Sequence, residues 1–260
     1  MRRSAPMLIT IRPVMLALIC IIPLARSTAT TEIILRSPYR IVLAVDSRAL
    51  YGQNRPATEC KLFEVGDVFA TVSGFAHYGG SYHVSDAIRE GFAGNGAFAS
   101  HVANTAVALQ RKVEKQLADL QARNTSEYRS LMSPASDSSD FIQLAVAQIV
   151  RGQPMLGIVG LRRTGSGNRF TSSTTICPGS CSQKPEIFFF GYWERIKPYV
   201  ASSGQPRSVA SAASLDRLIR LEIGAHPAEV SGPINILELT GSGARWLQNG
   251  GNCSLPRVGW

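Results

Sequence analysis

Four residues early in the chain have the chemistry to cleave an amide bond together: Thr30, Asp46, Lys61 and Gly74. A threonine hydroxyl is a weak nucleophile until a base removes its proton, and an N-terminal threonine carries its own α-amine for that role. A nearby lysine ammonium would lower the pKa of this amine and stabilise negative charge on the hydroxyl oxygen. The aspartate would orient the lysine, and the glycine N–H would stabilise an oxyanion. These residue types predict acyl transfer followed by hydrolysis.

A first hairpin would bring the threonine and the aspartate together. The β-branched apolar runs TTEIILR (30–36) and RIVLAV (40–45) flank the turn signal Ser-Pro-Tyr. Residues whose numbers sum to about 77 then lie opposite each other. Thr30 therefore faces Ser47, and Asp46 lies beside it.

A second hairpin would supply the lysine and the glycine. The runs ECKLFEV (59–65) and DVFATV (67–72) meet at a glycine that permits a tight turn. Lys61 then lies opposite approximately Val72, within one or two strand positions of Gly74. If the two hairpins are neighbours, all four candidate residues lie at one edge of one sheet.

The candidate nucleophile follows a segment typical of a secretion signal. Residues 1–29 contain four arginines, no acid and the apolar run VMLALICIIPLA (14–25), so their removal lowers the formal net charge from +9 to +5. The apolar run is shorter than the roughly 20 residues that span a bilayer. Ser27 and Ala29 favour cleavage that frees Thr30. Cleavage after Ser27, which frees Thr28, and an uncleaved anchor are the alternatives.

The composition bounds the class of protein. An apolar content of 45% is sufficient for a hydrophobic core, and the length of residues 30–260 suits one or two domains. No lysine- and arginine-rich run is present, so nucleic-acid binding is not predicted. We expect an exported protein, periplasmic or extracellular, without stable membrane insertion after the signal is removed.

Four cysteines follow the signal segment: Cys60, Cys177, Cys181 and Cys253. An even number of cysteines in an exported chain predicts disulfides. CPGSC (177–181) is suited to a local loop, but four cysteines allow three pairings and the sequence does not choose among them. The histidines lack zinc-ligand spacing to these cysteines, so no metal and no cofactor are predicted.

The remaining elements follow from periodicity. Helices are predicted at 83–92, from Phe98 to Leu120 and at 214–224, and further strands at 141–150, 155–162, 186–193 and 233–240. The polar stretch 123–140 reads as a surface loop. Strands, helices, strands, helix and strand in this order indicate an α+β domain with antiparallel sheets and helices packed outside.

Two stretches, IVLAVDSRALYG (41–52) and CKLFEVGDVFATVSG (60–74), resemble the N-terminal signature of proteasome β-type subunits, which are N-terminal nucleophile hydrolases. That family begins its mature chain with Thr-Thr, and its aspartate lies sixteen residues after the first threonine, as Asp46 does after Thr30. Lys61 matches the family lysine after a one-residue gap, and Ser73-Gly74 matches the step that donates the oxyanion N–H. The resemblance implies a four-layer αββα sandwich of two antiparallel sheets flanked by helices.

The resemblance also implies further site residues. Ser231 in VSGP matches a second family serine. The positions that line the family's specificity pocket fall on small or apolar side chains and one acid: Ala49, Leu50, Glu59, Val72 and Ala76. We expect a medium-sized apolar residue before the cleaved bond, or a basic residue if Glu59 points into the pocket.

Three departures from the family pattern keep other functions open. Tyr192, after Gly191, occupies the place of a family serine, Ala228 that of an acid, and Ala29 that of the glycine before the self-processing cut. The main expectation is a threonine peptidase acting on peptides or unfolded proteins, with a homo-oligomer allowed. The alternatives are a small-molecule amidase or acylase of the same fold and a non-catalytic binding or assembly module.

Overall fold

The structure, a computed structural model, describes residues 30–51, 55–132, 140–165, 167–202, 211–251 and 253. The predicted signal segment lies outside the described residues. Within them the protein is α+β, with antiparallel sheets and five helices. None of these described helices combines the length and apolar character needed to cross a membrane.

The described residues form fourteen strands and five helices. The strands are β1 (Thr31–Ser37), β2 (Arg40–Val45), β3 (Arg48–Tyr51), β4 (Arg55–Thr58), β5 (Leu62–Val65), β6 (Val68–Gly74), β7 (His77–Tyr78), β8 (Tyr82–His83), β9 (Ile142–Val150), β10 (Gln153–Arg163), β11 (Phe170–Cys177), β12 (Glu186–Gly191), β13 (Asn235–Thr240) and β14 (Gly243–Gln248). The helices are α1 (Val84–Gly91), α2 (Phe98–Arg123), α3 (Thr125–Met132), α4 (Ile196–Ser202) and α5 (Ala212–Ala225).

Two five-stranded sheets form the body of the described chain. The first has the order β12-β1-β2-β13-β14 and the second the order β11-β10-β9-β6-β5. Every pairing in both sheets is antiparallel. Two short hairpins, β3-β4 and β7-β8, lie outside them. The prediction of antiparallel sheets is confirmed.

Both predicted hairpin registers are confirmed. Glu32 pairs with Val45 across β1 and β2, and Leu62 pairs with Thr71 across β5 and β6. The prediction that the two hairpins share one sheet edge is wrong, because β1-β2 belongs to the first sheet and β5-β6 to the second. β1 and β2 are buried on both faces and pair outward with β12 and β13, whereas the second hairpin extends through β6 to β9 and leaves β5 at the edge of its sheet.

Three apolar clusters show how the two five-stranded sheets and the helices pack together. One joins β6, β9 and β10 to α1, α2 and α3, with Val102, Leu109, Val113 and Leu117 of α2 completely buried. A second contains residues from both five-stranded sheets, such as Leu43 and Leu156. The third joins β1, β2 and β13 to α4 and α5. Burial of each aliphatic side chain contributes about 1.5–3 kcal/mol to the stability of the fold. The predicted apolar face of α2 therefore holds this helix against the second sheet.

The prediction of a surface loop at 123–140 is wrong for its first part, where helix α3 (Thr125–Met132) forms. Helix α3 forms there because the side chain of Asn124 accepts a hydrogen bond from the Glu127 N–H, an N-cap interaction. Tyr128 and Met132, four residues apart, then bury on the same side. Residues 133–139 lie outside the described residues. Strands β11 and β14 and helix α4 were not predicted.

The cysteines form two disulfides. Cys60 pairs with Cys253, which is 193 residues later, and Cys177 pairs with Cys181. The structure thus selects the pairing that includes the local CPGSC loop. Disulfides fit an oxidising compartment outside the cytosol.

Candidate active site

Lys61 lies between the candidate nucleophile and the candidate aspartate. Its Nζ donates to Thr30 Oγ1 at 3.0 Å and to Asp46 Oδ1 at 2.8 Å. Thr30 immediately precedes β1, Asp46 follows β2, and Lys61 precedes β5 in the other five-stranded sheet. Strands from two sheets therefore bring these three side chains together, and all three are almost fully buried.

Asp46 is held by hydrogen bonds to both of its oxygens. Oδ1 accepts from Lys61 Nζ and from the Thr31 N–H at 2.8 Å. Oδ2 accepts from the Arg48 N–H at 2.9 Å and from the Ser231 N–H at 3.3 Å. A buried carboxylate with four donors is satisfied and rigid. It fixes the direction in which Lys61 points.

Burial lowers the pKa of Lys61, whereas the neighbouring Asp46 carboxylate and, more weakly, Glu32 and Glu59 oppose that shift. An ammonium in this position can stabilise negative charge on the Thr30 oxygen. The neutral amine of Lys61 can also donate a hydrogen bond to the Thr30 hydroxyl. An oriented cation beside a hydroxyl is an arrangement that can activate a nucleophile.

Glu32 is a buried acid close to Lys61 and Asp46 that the sequence analysis did not identify. It is completely buried, Thr71 Oγ1 donates to its Oε1, and its Oε2 has no hydrogen-bond partner among the described residues. Burial raises its pKa to about 8, with Lys61 and the Thr71 hydrogen bond acting in the opposite direction. The signal was available: an acid in an apolar strand, two residues after Thr30 and so on the same face of β1.

Gly74 ends β6 in a conformation that glycine alone adopts without strain. Its φ is +101°, and a Cβ there would collide with the Phe141 carbonyl oxygen. Ser73, the preceding residue, reaches Gly191, which in turn abuts the carbonyl of Thr30. The Ser73-Gly74 step thus lies near Thr30, and the oxyanion role of the Gly74 N–H stays a prediction.

The end of β12 holds the backbone of Thr30. The Tyr192 N–H donates to the Thr30 carbonyl at 2.8 Å, and Thr31 Oγ1 donates to the Tyr192 carbonyl at 3.1 Å. Gly191 has a φ of +70°, and a Cβ there would strike the Thr30 carbonyl oxygen. The ring of Tyr192 packs on the ring of His226, with 4.6 Å between their centroids. Tyr192 therefore contributes backbone to the site, while its ring contacts α5.

Ser231 reaches the site through its backbone. Besides its N–H bond to Asp46, its carbonyl accepts from the Ser47 N–H at 3.1 Å. Nearby, the Ala228 carbonyl accepts from Arg48 Nε at 3.0 Å. The segment that contains Ala228 and Ser231 is thus tied to the turn that carries Asp46, and the site role that the resemblance implies for the Ser231 side chain stays a prediction.

The predicted pocket residues fall in two places. Ala49 and Leu50 lie in β3, and the half-buried Glu59 follows β4 with its carboxylate 3.7 Å from Nε2 of His77. Val72 and Ala76 pack in the cluster that joins the second sheet to α1, α2 and α3. Their role in substrate binding stays a prediction.

Two groups of side chains among the described residues have metal-ligand spacing. In the first, Cys177 and Cys181 form a disulfide and are not available as thiolate ligands. The second consists of Glu194, Glu222 and His226, next to Tyr192.

Neither a scan against protein-family models nor a search of curated proteins finds a match for this chain. A function has therefore to be inferred from the geometry around Thr30 and from the motifs in the sequence.

Proposed function

We propose that this protein is an exported N-terminal threonine hydrolase that cleaves amide bonds in peptides. The observation that carries the proposal is the position of Lys61 Nζ, within hydrogen-bond distance of both Thr30 Oγ1 and Asp46 Oδ1. Desolvation of a buried charge is costly, so a buried lysine–carboxylate pair contributes little net stability by itself. Activation of the hydroxyl gives this arrangement a chemical purpose.

In the proposed reaction, the α-amine of Thr30 takes the proton from Oγ1 as the oxygen attacks the substrate carbonyl carbon. Lys61 stabilises the developing charge on Oγ1, and the Gly74 N–H stabilises the oxyanion. The C–N bond then breaks, and the leaving amine receives the proton. A water molecule, activated by the same amine, hydrolyses the resulting ester and frees Thr30.

The proposed fold is the four-layer αββα sandwich of N-terminal nucleophile hydrolases. The two five-stranded antiparallel sheets and the three apolar clusters support it. So does the likeness of 41–52 and 60–74 to the signature of proteasome β-type subunits. Removal of residues 1–29 by signal peptidase would create the amine that the mechanism needs, in place of self-processing.

A non-catalytic binding or assembly module of the same fold is the second candidate. The observation that favours it is Tyr192, which occupies the place of a family serine and turns its ring towards His226. A small-molecule amidase is chemically equivalent to the peptidase at Thr30 and differs only in its substrate.

The test begins with the N-terminal sequence and intact mass of the exported protein. A chain that starts at Thr30 and cleaves peptide amides supports the proposal. Thr30→Ala should abolish cleavage, whereas Thr30→Ser, which keeps a hydroxyl, should retain part of it. Unchanged cleavage by Thr30→Ala would remove Thr30 from the mechanism.

Peptide libraries and small amides separate the two catalytic functions. The peptidase should prefer a medium-sized apolar residue before the cleaved bond. A library that reveals only acidic preference would contradict the predicted pocket. A chain that starts at Thr28, or is uncut, leaves Thr30 without a free amine and favours the binding module.

A further inference from the structure

A second polar cluster lies beside the candidate active site, at the end of α5. It consists of Glu194, Glu222 and His226, whose ligand atoms all lie within 4.8 Å of one another. His226 Nε2 is 3.7 Å from Glu222 Oε2 and 3.9 Å from Glu194 Oε2. An imidazole nitrogen and two carboxylate oxygens therefore converge on one point.

Glu222 is the unusual member of this cluster. Its side chain is completely buried. Oε1 accepts from the N–H groups of Arg195 and Ile196 at the start of α4, at 2.6 and 2.9 Å. Oε2, which faces His226, has no hydrogen-bond partner among the described residues. A buried carboxylate oxygen without a partner costs free energy unless a cation or a donor reaches it.

We propose that Glu194, Glu222 and His226 bind a divalent transition-metal cation, with zinc as the best match. The ligand types suit zinc, which takes imidazole nitrogens and carboxylate oxygens at about 2.0–2.2 Å. Two ligands of a tetrahedral zinc lie about 3.4 Å apart, so the two distances to His226, 3.7 and 3.9 Å, require only a small contraction. The two carboxylate oxygens lie within 4.8 Å of each other and can approach by movement of the exposed Glu194 side chain. Glu194 is 63% exposed, which leaves a side of the site open to a water ligand.

The cation would join three elements at a point where they meet the candidate active site. Glu194 follows β12, Glu222 and His226 end α5, and Glu222 also holds the start of α4. The His226 ring packs on Tyr192, whose N–H holds the Thr30 carbonyl. The site is independent of the cysteines and does not rest on the proposed hydrolase activity.

The test measures binding of Zn²⁺ to the full exported protein after treatment with a chelator and dialysis. Titration calorimetry should give one saturable Zn²⁺ site per chain, and Zn²⁺ should raise the thermal unfolding temperature. Glu222→Gln keeps an acceptor for the Arg195 and Ile196 N–H groups but loses the charged ligand. This variant and His226→Gln should weaken binding by at least about 10-fold.

Two further variants decide the outcome. Glu194→Gln changes an exposed side chain, so it should fold normally and still weaken binding. His83→Gln removes an exposed histidine outside the cluster and should leave binding unchanged. The proposal is overturned if the wild-type protein has no saturable site, if Glu194→Gln and His226→Gln bind like the wild type, or if His83→Gln loses binding.

Discussion

Lys61 connects the Thr30 hydroxyl to the Asp46 carboxylate, and its charge is central to the proposed chemistry. Asp46 is saturated by four donors, so it cannot turn away from the lysine without losing hydrogen bonds. Burial opposes the charged form of Lys61, and the carboxylates around it favour that form. Two residue-scale predictions follow from this balance.

Lys61→Met removes the charge and keeps most of the side-chain volume. We expect the turnover number to fall by about 10²–10³ or more, the cost of removing one transition-state donor. The variant should still fold, which circular dichroism can verify. Lys115→Met, at a position 76% exposed, is the matched control and should not change turnover. Equal rates for Lys61→Met and the wild type would exclude an electrostatic role for Lys61.

Glu32→Gln should change how stability depends on pH. The folded-state pKa of Glu32 is raised from 4.5 to about 8, so the native protein holds this proton more tightly than the unfolded chain does. The stability that this proton confers is complete below pH 4.5 and is lost as the pH rises to about 8. A shift of this size corresponds to at most about 5 kcal/mol.

Urea unfolding at pH 5, 6.5 and 8 measures this effect. The free energy of unfolding of the wild type should fall with pH relative to Glu32→Gln, whose amide does not ionise and still accepts from Thr71. Glu64→Gln, an exposed glutamate in β5, should follow the wild-type curve. Parallel curves for the wild type and Glu32→Gln would mean that the carboxyl group is not buried in the native state.

At the scale of elements, the end of β12 matters most, because it holds the backbone of Thr30, the proposed nucleophile. Gly191 pairs with Thr31 across β12 and β1 and leaves no room for a side chain beside the Thr30 carbonyl. A shift of this strand end would move Thr30 relative to Lys61, which comes from the other five-stranded sheet. Catalysis would be sensitive to such a shift.

Comparison of Gly191→Ala with Gly66→Ala separates the cost of backbone strain from the cost of a steric collision. Both glycines have positive φ, +70° and +65°, but a Cβ at Gly66 meets open space. We expect backbone strain to lower the free energy of unfolding of each variant by about 1–2 kcal/mol. Gly191→Ala should lose further stability, and also activity, because its Cβ collides with the Thr30 carbonyl oxygen. Urea unfolding and turnover of both variants provide the measurement. Equal losses would show that the strand end can shift without cost.

For the molecule as a whole, the disulfides set the largest constraint on the unfolded chain. The bond between Cys60 and Cys253 closes a loop between residues 193 apart, whereas that between Cys177 and Cys181 spans four. Loop-closure entropy grows with loop length. The long bridge also anchors Cys60, the residue next to Lys61. Its loss would therefore affect both the stability of the protein and the position of Lys61.

Replacing both cysteines of each pair by serine tests this difference. We expect Cys60→Ser with Cys253→Ser to lower the free energy of unfolding by about 3–5 kcal/mol, and Cys177→Ser with Cys181→Ser by about 2 kcal/mol. Denaturant unfolding without reductant measures both values, and reductant should abolish the difference from the wild type. A larger loss for the short bridge would contradict the loop-length argument.

Local signals in the sequence were sufficient for the two hairpin registers and for the positions of α1, α2 and α5. Turn residues and alternation determine which residues face each other over a few positions, and the periodicity of apolar residues determines the face of a helix. The sequence also singled out Thr30, Asp46 and Lys61 as candidates, and the register of the first hairpin placed Asp46 near Thr30. The contact of Lys61 with both depends on how the two five-stranded sheets meet.

Only the tertiary structure decided how these pieces meet. It separated the two hairpins into different sheets, chose the partners of Cys60 and Cys177, and buried Glu32 against Thr71. It also formed helix α3, with Tyr128 and Met132 buried, where the polar sequence predicted a loop. Each of these outcomes depends on contacts between residues far apart in the chain. Their free energy comes from burial and pairing in the folded state, which no local pattern encodes.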